Sequence, residues 1–296
     1  MAEFSRTVDE SLLEQLVASS LFQERLKHDL NPAEPAGGRV FPAFRHQRVD
    51  FYYRGGKLLG FRKGQFSTHQ KYYATILNPK SDYVSEQDLP TLQWPSSFEE
   101  AYERMKENCR RYSGDEAEGV AELYSRHSYL LGEDIVVLDI EVQFEHGDEP
   151  EDDWPNTRPN DSAKQDRIDL LLYNTETRTL RFVEAKHSSN SEIRAQEQPK
   201  VLEQLRRYRK VLSDKDARDR ILEQYSHYID YANRYFAEQI VRCLPEPEFL
   251  MEDAGLLVFG MDGPQKKYFN RHFLDKYRDP PTLIQNVTDL KLSTLF

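Results

Sequence analysis

The pattern of apolar positions divides the first hundred residues into a helical stretch and a β-rich stretch. Residues 9–30 carry apolar side chains at helical spacing, which predicts a helix that ends at the Pro/Gly-rich NPAEPAGG. Beyond it, apolar and polar residues alternate on both sides of Gly55-Gly56, a dipeptide that tolerates the positive φ of a hairpin turn. We therefore expect residues 1–110 to form a small N-terminal domain with one helix and a β-rich remainder.

Three strand-like runs follow residue 132, and a fourth lies closer to the C-terminus. The first three are EDIVVLDIEVQF, DRIDLLLYN and TLRFVEAK, and a turn-rich segment joins the last two. GLLVFG, residues 255–260, predicts a short buried strand. The segment KKYFNRHFLDKY after it predicts a helix.

Helices are predicted before and after the group of three strands. Asp115 and Glu118 have the spacing of a capping box, which predicts the start of a helix. Residues 196–212 place apolar side chains on one helical face, and we expect Ser213 to cap a further helix that reaches about residue 243. The order from Asp115 is then α, β, β, β, α, an extra α and β, which indicates the α/β class.

Composition and charge narrow the classes of protein to consider. The 296 residues include 17 Tyr, 16 Phe and 2 Trp, enough aromatic side chains for a folded core. A net charge of -11 is unsuited to sequence-independent coating of nucleic acid. No run approaches the roughly 18 consecutive apolar residues of a membrane span, and two distant cysteines exclude a zinc ribbon. We expect a soluble, cytoplasmic protein without a membrane partner.

Three charged residues interrupt strands that are otherwise apolar. Asp169 lies in RIDLLLY, and Glu184 and Lys186 lie in RFVEAKH. Glu184 and Lys186 are two residues apart, so both side chains leave the same face of the strand, and Asp169 can lie beside them on the neighbouring hairpin strand. Two carboxylates and an ammonium suit a magnesium site, because carboxylate oxygens hold the ion and the ion polarises a phosphate.

These residues, in this order, resemble the PD-(D/E)xK nuclease superfamily, in which the acid lies on the second core strand and ExK on the third. Gln204 and Tyr208, on the helix after the third strand, match the QxxxY element of its RecB-like and lambda-exonuclease-like branches. The resemblance implies a restriction-endonuclease-like α-β-β-β-α-β core with a mixed central sheet over residues 111–296. Residues 1–110 would form a smaller N-terminal β-containing domain.

The resemblance also implies a set of metal ligands. Mg²⁺ or Mn²⁺ would be held by Asp169, Glu184 and the backbone carbonyl of Ala185. The helix that opens the core would donate one more acid, for which Glu122 is preferred over the acid four positions earlier. His127 is the other candidate, because some relatives use a histidine there.

The implied reaction is metal-dependent hydrolysis of a phosphodiester, with DNA as the favoured substrate. Lys186 would position the attacking water and offset developing charge. Gln204 and Tyr208 would order the site or the strand. Asp169 and Glu184 would thus be catalytic as well as metal-binding. The alternative for the same residues is a structural ion cluster at a strand edge.

A run of basic residues lies beside the predicted site and predicts contacts with phosphates. The run contains Arg206, Arg207, Arg209 and Lys210, of which Arg206, Arg207 and Lys210 are the predicted phosphate contacts, with tyrosines nearby as stacking surfaces. A solvated helix face is the alternative interpretation. No GxxxxGK[ST] motif occurs, so unwinding or targeting would come from a protein partner. The alternative function is a catalytically inactive module of this fold that binds nucleic acid or protein.

Overall fold

The computed structural model describes residues 4–34, 37–73, 83–89, 96–144, 167–194, 199–274, 281–287 and 290–296, which form an α/β fold with two sheets. The helices are α1 Glu10–Ala18, α2 Lys27–Leu30, α3 Gln70–Tyr73, α4 Phe98–Arg111, α5 Asp115–His127, α6 Ser191–Arg194, α7 Lys200–Leu212, α8 Lys215–Tyr235 and α9 Gly263–Phe269. Two π-helical turns, Phe22–Leu26 and Asn270–Leu274, precede α2 and extend α9. Within the described ranges, no helix is both long and apolar enough to cross a bilayer.

The strands follow the same chain order. They are β1 Phe41–Arg45, β2 Arg48–Tyr53, β3 Gly56–Arg62, β4 Gln65–His69, β5 Tyr83–Ser85, β6 Ile135–Gln143, β7 Arg167–Asn174, β8 Thr179–His187, β9 Phe249–Leu250, β10 Gly255–Phe259 and β11 Thr282–Ile284. The strands predicted after residue 132 and at GLLVFG are therefore confirmed as β6, β7, β8 and β10.

The first sheet is antiparallel, in the order β1-β2-β3-β4-β5. Its predicted hairpin joins β2 to β3, but the turn lies one residue earlier than expected. Arg54 and Gly55 occupy it with φ of 46° and 80°, and Gly56 already begins β3. Two consecutive positive φ values give the turn the twist that a tight hairpin needs.

The second sheet is mixed, in the order β11-β10-β8-β7-β6, with β9 paired to β8. The neighbours β6, β7 and β8 run antiparallel, whereas β8, β10 and β11 run parallel. A parallel connection needs a crossover, and α6, α7 and α8 provide it between β8 and β10. Helix α5 lies against β6 and β8 and leads into the sheet.

Two predicted helix caps are wrong. Gly114 precedes α5 without a side-chain cap, and Asp115 is already its first helical residue, so the predicted capping box does not form. Ser213 keeps helical backbone angles, and the Asp214 carboxylate caps α8 instead. Helix α8 ends at Tyr235, well before residue 243. Residues 196–198 of the helix predicted over 196–212 lie outside the described ranges, and the rest forms α7.

A buried ion cluster joins the two sheets. Asp139 of β6 accepts from Arg45 of β1 at 2.6 Å and from Arg6 at 3.0 Å, and the Tyr225 hydroxyl donates to the same carboxylate at 2.9 Å. A buried carboxylate is tolerated only when it is paired in this way. The hydrophobic core is likewise one cluster that runs through both sheets. The first sheet is therefore packed against the second.

Candidate active site

Strands β7 and β8 separate at the predicted site residues. Their ladder of paired residues ends at Leu170 opposite Val183. One residue further, the Asp169 carboxylate takes the place of a backbone partner and accepts a hydrogen bond from the amide of Ala185 at 2.8 Å. Asp169 is thus held by β7 itself and by the backbone of β8.

The ammonium of Lys186 lies among four carboxylates. Its Nζ is 2.7 Å from Glu184 Oε1, 3.4 Å from Glu192 Oε2, 3.7 Å from Glu116 Oε1 and 3.8 Å from Asp169 Oδ2. Glu184 and Lys186 leave the same face of β8, as their spacing predicts. Both are buried. The structure therefore brings Asp169, Glu184 and Lys186 together.

The charges of this cluster do not balance, since one ammonium faces four acids. Burial, reinforced by the charge of Glu184, raises the pKa of Asp169 well above its ordinary value. Burial also raises the pKa of Glu184, although Lys186 opposes the change. Burial lowers the pKa of Lys186, but the surrounding carboxylates outweigh it and raise that pKa. Lys186 is therefore charged at neutral pH, and the cluster can accept further positive charge.

Two of the four acids were not singled out in the sequence. Glu116, in the first turn of α5, also accepts hydrogen bonds from the His187 amide at 3.3 Å and from Asn190 Nδ2 at 2.7 Å. Glu192 lies in α6, immediately after β8. The sequence signal that could identify these two acids is their position, because both lie in the first turn of a helix that meets the carboxyl end of β8. The acid that the opening helix contributes is thus Glu116.

The structure does not bring Glu122 or His127 to the cluster. Glu122 pairs with Arg126 on the outside of α5, and its side chain is 43% exposed. His127 Nδ1 lies 2.7 Å from Glu133 Oε2. Six residues turn a helix by about 600°, so Glu122 points about 120° away from Glu116 around the helix and lies about 9 Å further along the axis. The expectation that Glu122 or His127 completes the site is not met by this geometry.

The QxxxY pair lies on the inner side of α7. Tyr208 is buried, and its hydroxyl donates to the Arg167 carbonyl at 2.9 Å, at the start of β7. It also lies close enough to Glu184 to act against the rise in the pKa of that carboxyl. One turn earlier, Gln204 Oε1 is buried and has no hydrogen-bond donor in the described chain. Tyr208 therefore supports the strand that carries Asp169, and Gln204 retains an unsatisfied acceptor.

The predicted phosphate-contacting residues lie on the outer side of the same helix. Arg206, Arg207 and Lys210 are exposed, whereas Leu205 and Tyr208 are buried. A helix that buries one face presents the residues between its buried positions to solvent. These three cations therefore belong to the protein surface and not to the acid cluster.

The first sheet forms one wall of the site. A cavity of about 170 Å³ is lined by Glu116 and Asp169 and by Tyr52 and Gly55 of the β2–β3 hairpin. Glu141 of β6 adds a third acid to the lining, and its φ of 49° is unusual for a residue in a strand. The N-terminal segment, for which the sequence predicted no task, thus borders the acids directly.

The donor atoms fit a hard divalent cation, although they do not enclose one. Among the residues that the structure describes, no group of three or more His, Cys, Asp and Glu side chains is arranged to hold a metal ion. The acids nearest Lys186 offer only carboxylate oxygens, which Mg²⁺ and Mn²⁺ prefer. Both oxygens of Glu184 are buried without a well-directed hydrogen bond. A buried carboxylate is suited to a cation, and the Lys186 ammonium already lies 2.7 Å from Glu184 Oε1.

Comparisons with known proteins found no relative of this chain. The chain matches no family model, no curated protein and no solved structure.

Proposed function

We propose that this chain is a metal-dependent nuclease that hydrolyses phosphodiester bonds, with DNA as the favoured substrate. The observation that carries the proposal is the position of Lys186 Nζ, within 3.8 Å of the Asp169 and Glu184 carboxylates where β7 and β8 part. The order α5, β6, β7, β8, α7 and β10 supports a restriction-endonuclease-like core, because it repeats the α-β-β-β-α-β order of the PD-(D/E)xK superfamily.

In this proposal three acids of the cluster bind the metal, and Lys186 compensates charge. Asp169, Glu184 and Glu116 would hold Mg²⁺ or Mn²⁺, which supplies Lewis-acid polarisation of the phosphate. Lys186 remains protonated and offsets the negative charge that develops on the phosphate oxygens. The Asp169 carboxylate is oriented by the Ala185 amide, so the acid is fixed before substrate arrives.

The test is cleavage of labelled single-stranded DNA, duplex DNA, a branched junction and RNA, with Mn²⁺ or with EDTA. We expect Glu184→Gln and Glu116→Gln to lose cleavage. Glu122→Gln is the matched control, since it removes an exposed acid of the same helix and should retain activity. A folded wild type that cleaves no substrate, or a Glu116→Gln variant as active as Glu122→Gln, would contradict the proposed site.

One observation favours an alternative, a catalytically inactive module that binds nucleic acid or protein. Lys186 already offsets part of the acidic charge, as it would in a structural ion cluster. A metal site predicts that Mn²⁺ raises the melting temperature of the wild type, because a ligand that binds only the native state stabilises it. An inactive module predicts no such change. Glu184→Gln should abolish the change if the metal site is real.

A further inference from the structure

Helix α9 and the π-helical turn after it form an exposed surface that is basic and aromatic. We call it the α9 surface and define it by Lys266, Lys267, Tyr268, Arg271 and His272. Residues 263–274 include no acid, in a chain whose net charge is -11. Among the described residues, no acid forms an ion pair with the three cations of this surface. The α9 surface is therefore locally basic in an acidic chain, and Asp262 just before it is engaged as the N-cap of α9.

Two aromatic residues of the α9 surface, Tyr268 and His272, directly follow basic residues in the chain. The rings of Tyr268 and His272 lie 4.2 Å apart between centroids, and the Tyr268 residue is 59% exposed. On the buried face of the helix, Phe269 and Phe273 are stacked with ring centroids 4.5 Å apart. The buried pair anchors the helix, so the exposed pair is presented on a fixed support.

The α9 surface follows the carboxyl end of β10, and the acid cluster lies at the carboxyl end of the neighbouring strand β8. Strand β10 runs parallel to β8, and Val258 lies opposite Lys186. Just beyond, Ser188 Oγ donates to the carbonyl of Gly260 at 2.7 Å. Helix α9 begins three residues after Gly260. A strand of nucleic acid that reaches Lys186 would therefore pass close to the start of α9.

We infer that the α9 surface binds an unpaired segment of the nucleic-acid substrate, an inference that rests on the proposed nuclease function. Lys266, Lys267 and Arg271 would contact successive phosphates. Tyr268 and His272 would stack on a base, because an exposed aromatic face binds any base whose own stack is open. Bases inside a duplex offer no free face, so the geometry points to a single strand.

The experiment measures fluorescence anisotropy of labelled oligothymidine in EDTA, where cleavage cannot contribute. We expect Tyr268→Ala to weaken binding about tenfold, the usual range for one lost stacking contact. We expect Lys267→Gln/Arg271→Gln to reduce the slope of log affinity against log salt by about 1.4, since each phosphate contact with a single strand contributes about 0.7.

Matched controls separate these effects from general changes of charge and surface. Phe249→Ala removes an exposed ring from β9, which pairs with the opposite end of β8, and Lys215→Gln/Arg220→Gln removes two exposed cations of α8. Both should bind as the wild type does. Circular dichroism of every variant verifies the fold.

The outcomes of binding and cleavage are independent. A wild type that binds no oligothymidine, or α9 variants that bind as tightly as the controls, would overturn the inference even if the protein cleaves DNA. Equal losses with a duplex would overturn the assignment to a single strand. Binding that depends on α9, in a protein that cleaves nothing, would support the inference and contradict the nuclease instead.

Discussion

The Asp169 carboxylate accepts a hydrogen bond from the backbone amide of Ala185 at 2.8 Å, across the point where β7 and β8 part. Ala185 lies between Glu184 and Lys186 in the chain, so this bond places the acid of one strand against the charged pair of the next. The site therefore depends on a break in the strand ladder, which brings acids of two strands to one ammonium.

The first prediction concerns the charge of Asp169. Asp169→Asn keeps an acceptor for the Ala185 amide and removes one of the crowded carboxylates. We expect cleavage to be lost. We expect the free energy of unfolding of the metal-free protein to rise by about 1 kcal/mol, because functional sites often hold groups that destabilise the fold. Urea unfolding in EDTA measures the change. Asp219→Asn, on an exposed position of α8, is the control, and a destabilised Asp169→Asn would contradict the prediction.

The second prediction concerns pH. Burial, with the charge of Glu184, raises the pKa of Asp169, and burial raises that of Glu184. The folded metal-free protein therefore holds protons that the unfolded chain has released, so this cluster makes the free energy of unfolding fall as pH rises above about 4. Unfolding of the wild type and of Asp169→Asn/Glu184→Gln in EDTA should differ more at neutral than at acidic pH. A difference independent of pH would refute the shift.

The third prediction concerns the position of α5. A Cβ atom on Gly119 would overlap the ring of Phe259 on β10, so the helix and the sheet approach closely there. Gly119→Ala should push α5 outward and move Glu116 from Lys186. We expect a cost of about 2 kcal/mol in stability and a loss of about a hundredfold in cleavage rate.

Its control is Gly114→Ala, at the N-cap of the same helix, where an added Cβ atom meets nothing within 4 Å. Thermal unfolding and cleavage of the two variants should diverge. If Gly119→Ala cleaves at the wild-type rate, the close packing of α5 does not position Glu116.

The fourth prediction concerns the ion cluster between the sheets. Arg45→Met leaves the buried Asp139 with fewer donors, and removal of one partner of a buried pair costs about 3 kcal/mol. Arg234→Gln breaks an exposed ion pair with Glu10 and should change stability little. Chemical unfolding compares the two. Equal effects would mean that Asp139 does not hold the sheets together.

Local patterns determined a large part of this fold. Apolar runs bounded by turn signals located β7 and β8, and the helical face of residues 201–212 located α7. Glu184 and Lys186 lie together because side chains two residues apart leave the same face of a strand. The approach of Asp169 follows from a hairpin that joins neighbouring strands. Each of these relationships is set within a few residues of chain or by one short turn.

The remaining features depend on residues far apart in the sequence. Which acid of α5 faces Lys186 depends on the rotation of the helix against the sheet, and the contact of Gly119 with Phe259 limits that rotation. The wall that the β2–β3 hairpin gives the site depends on the pairing of Arg45 with Asp139. The sequence by itself determined β6, β7, β8 and β10 and the three charged residues that β7 and β8 carry. Only tertiary packing selected Glu116 and placed the first sheet beside it. The hydrophobic period of one segment does not specify which distant segment packs closely against it.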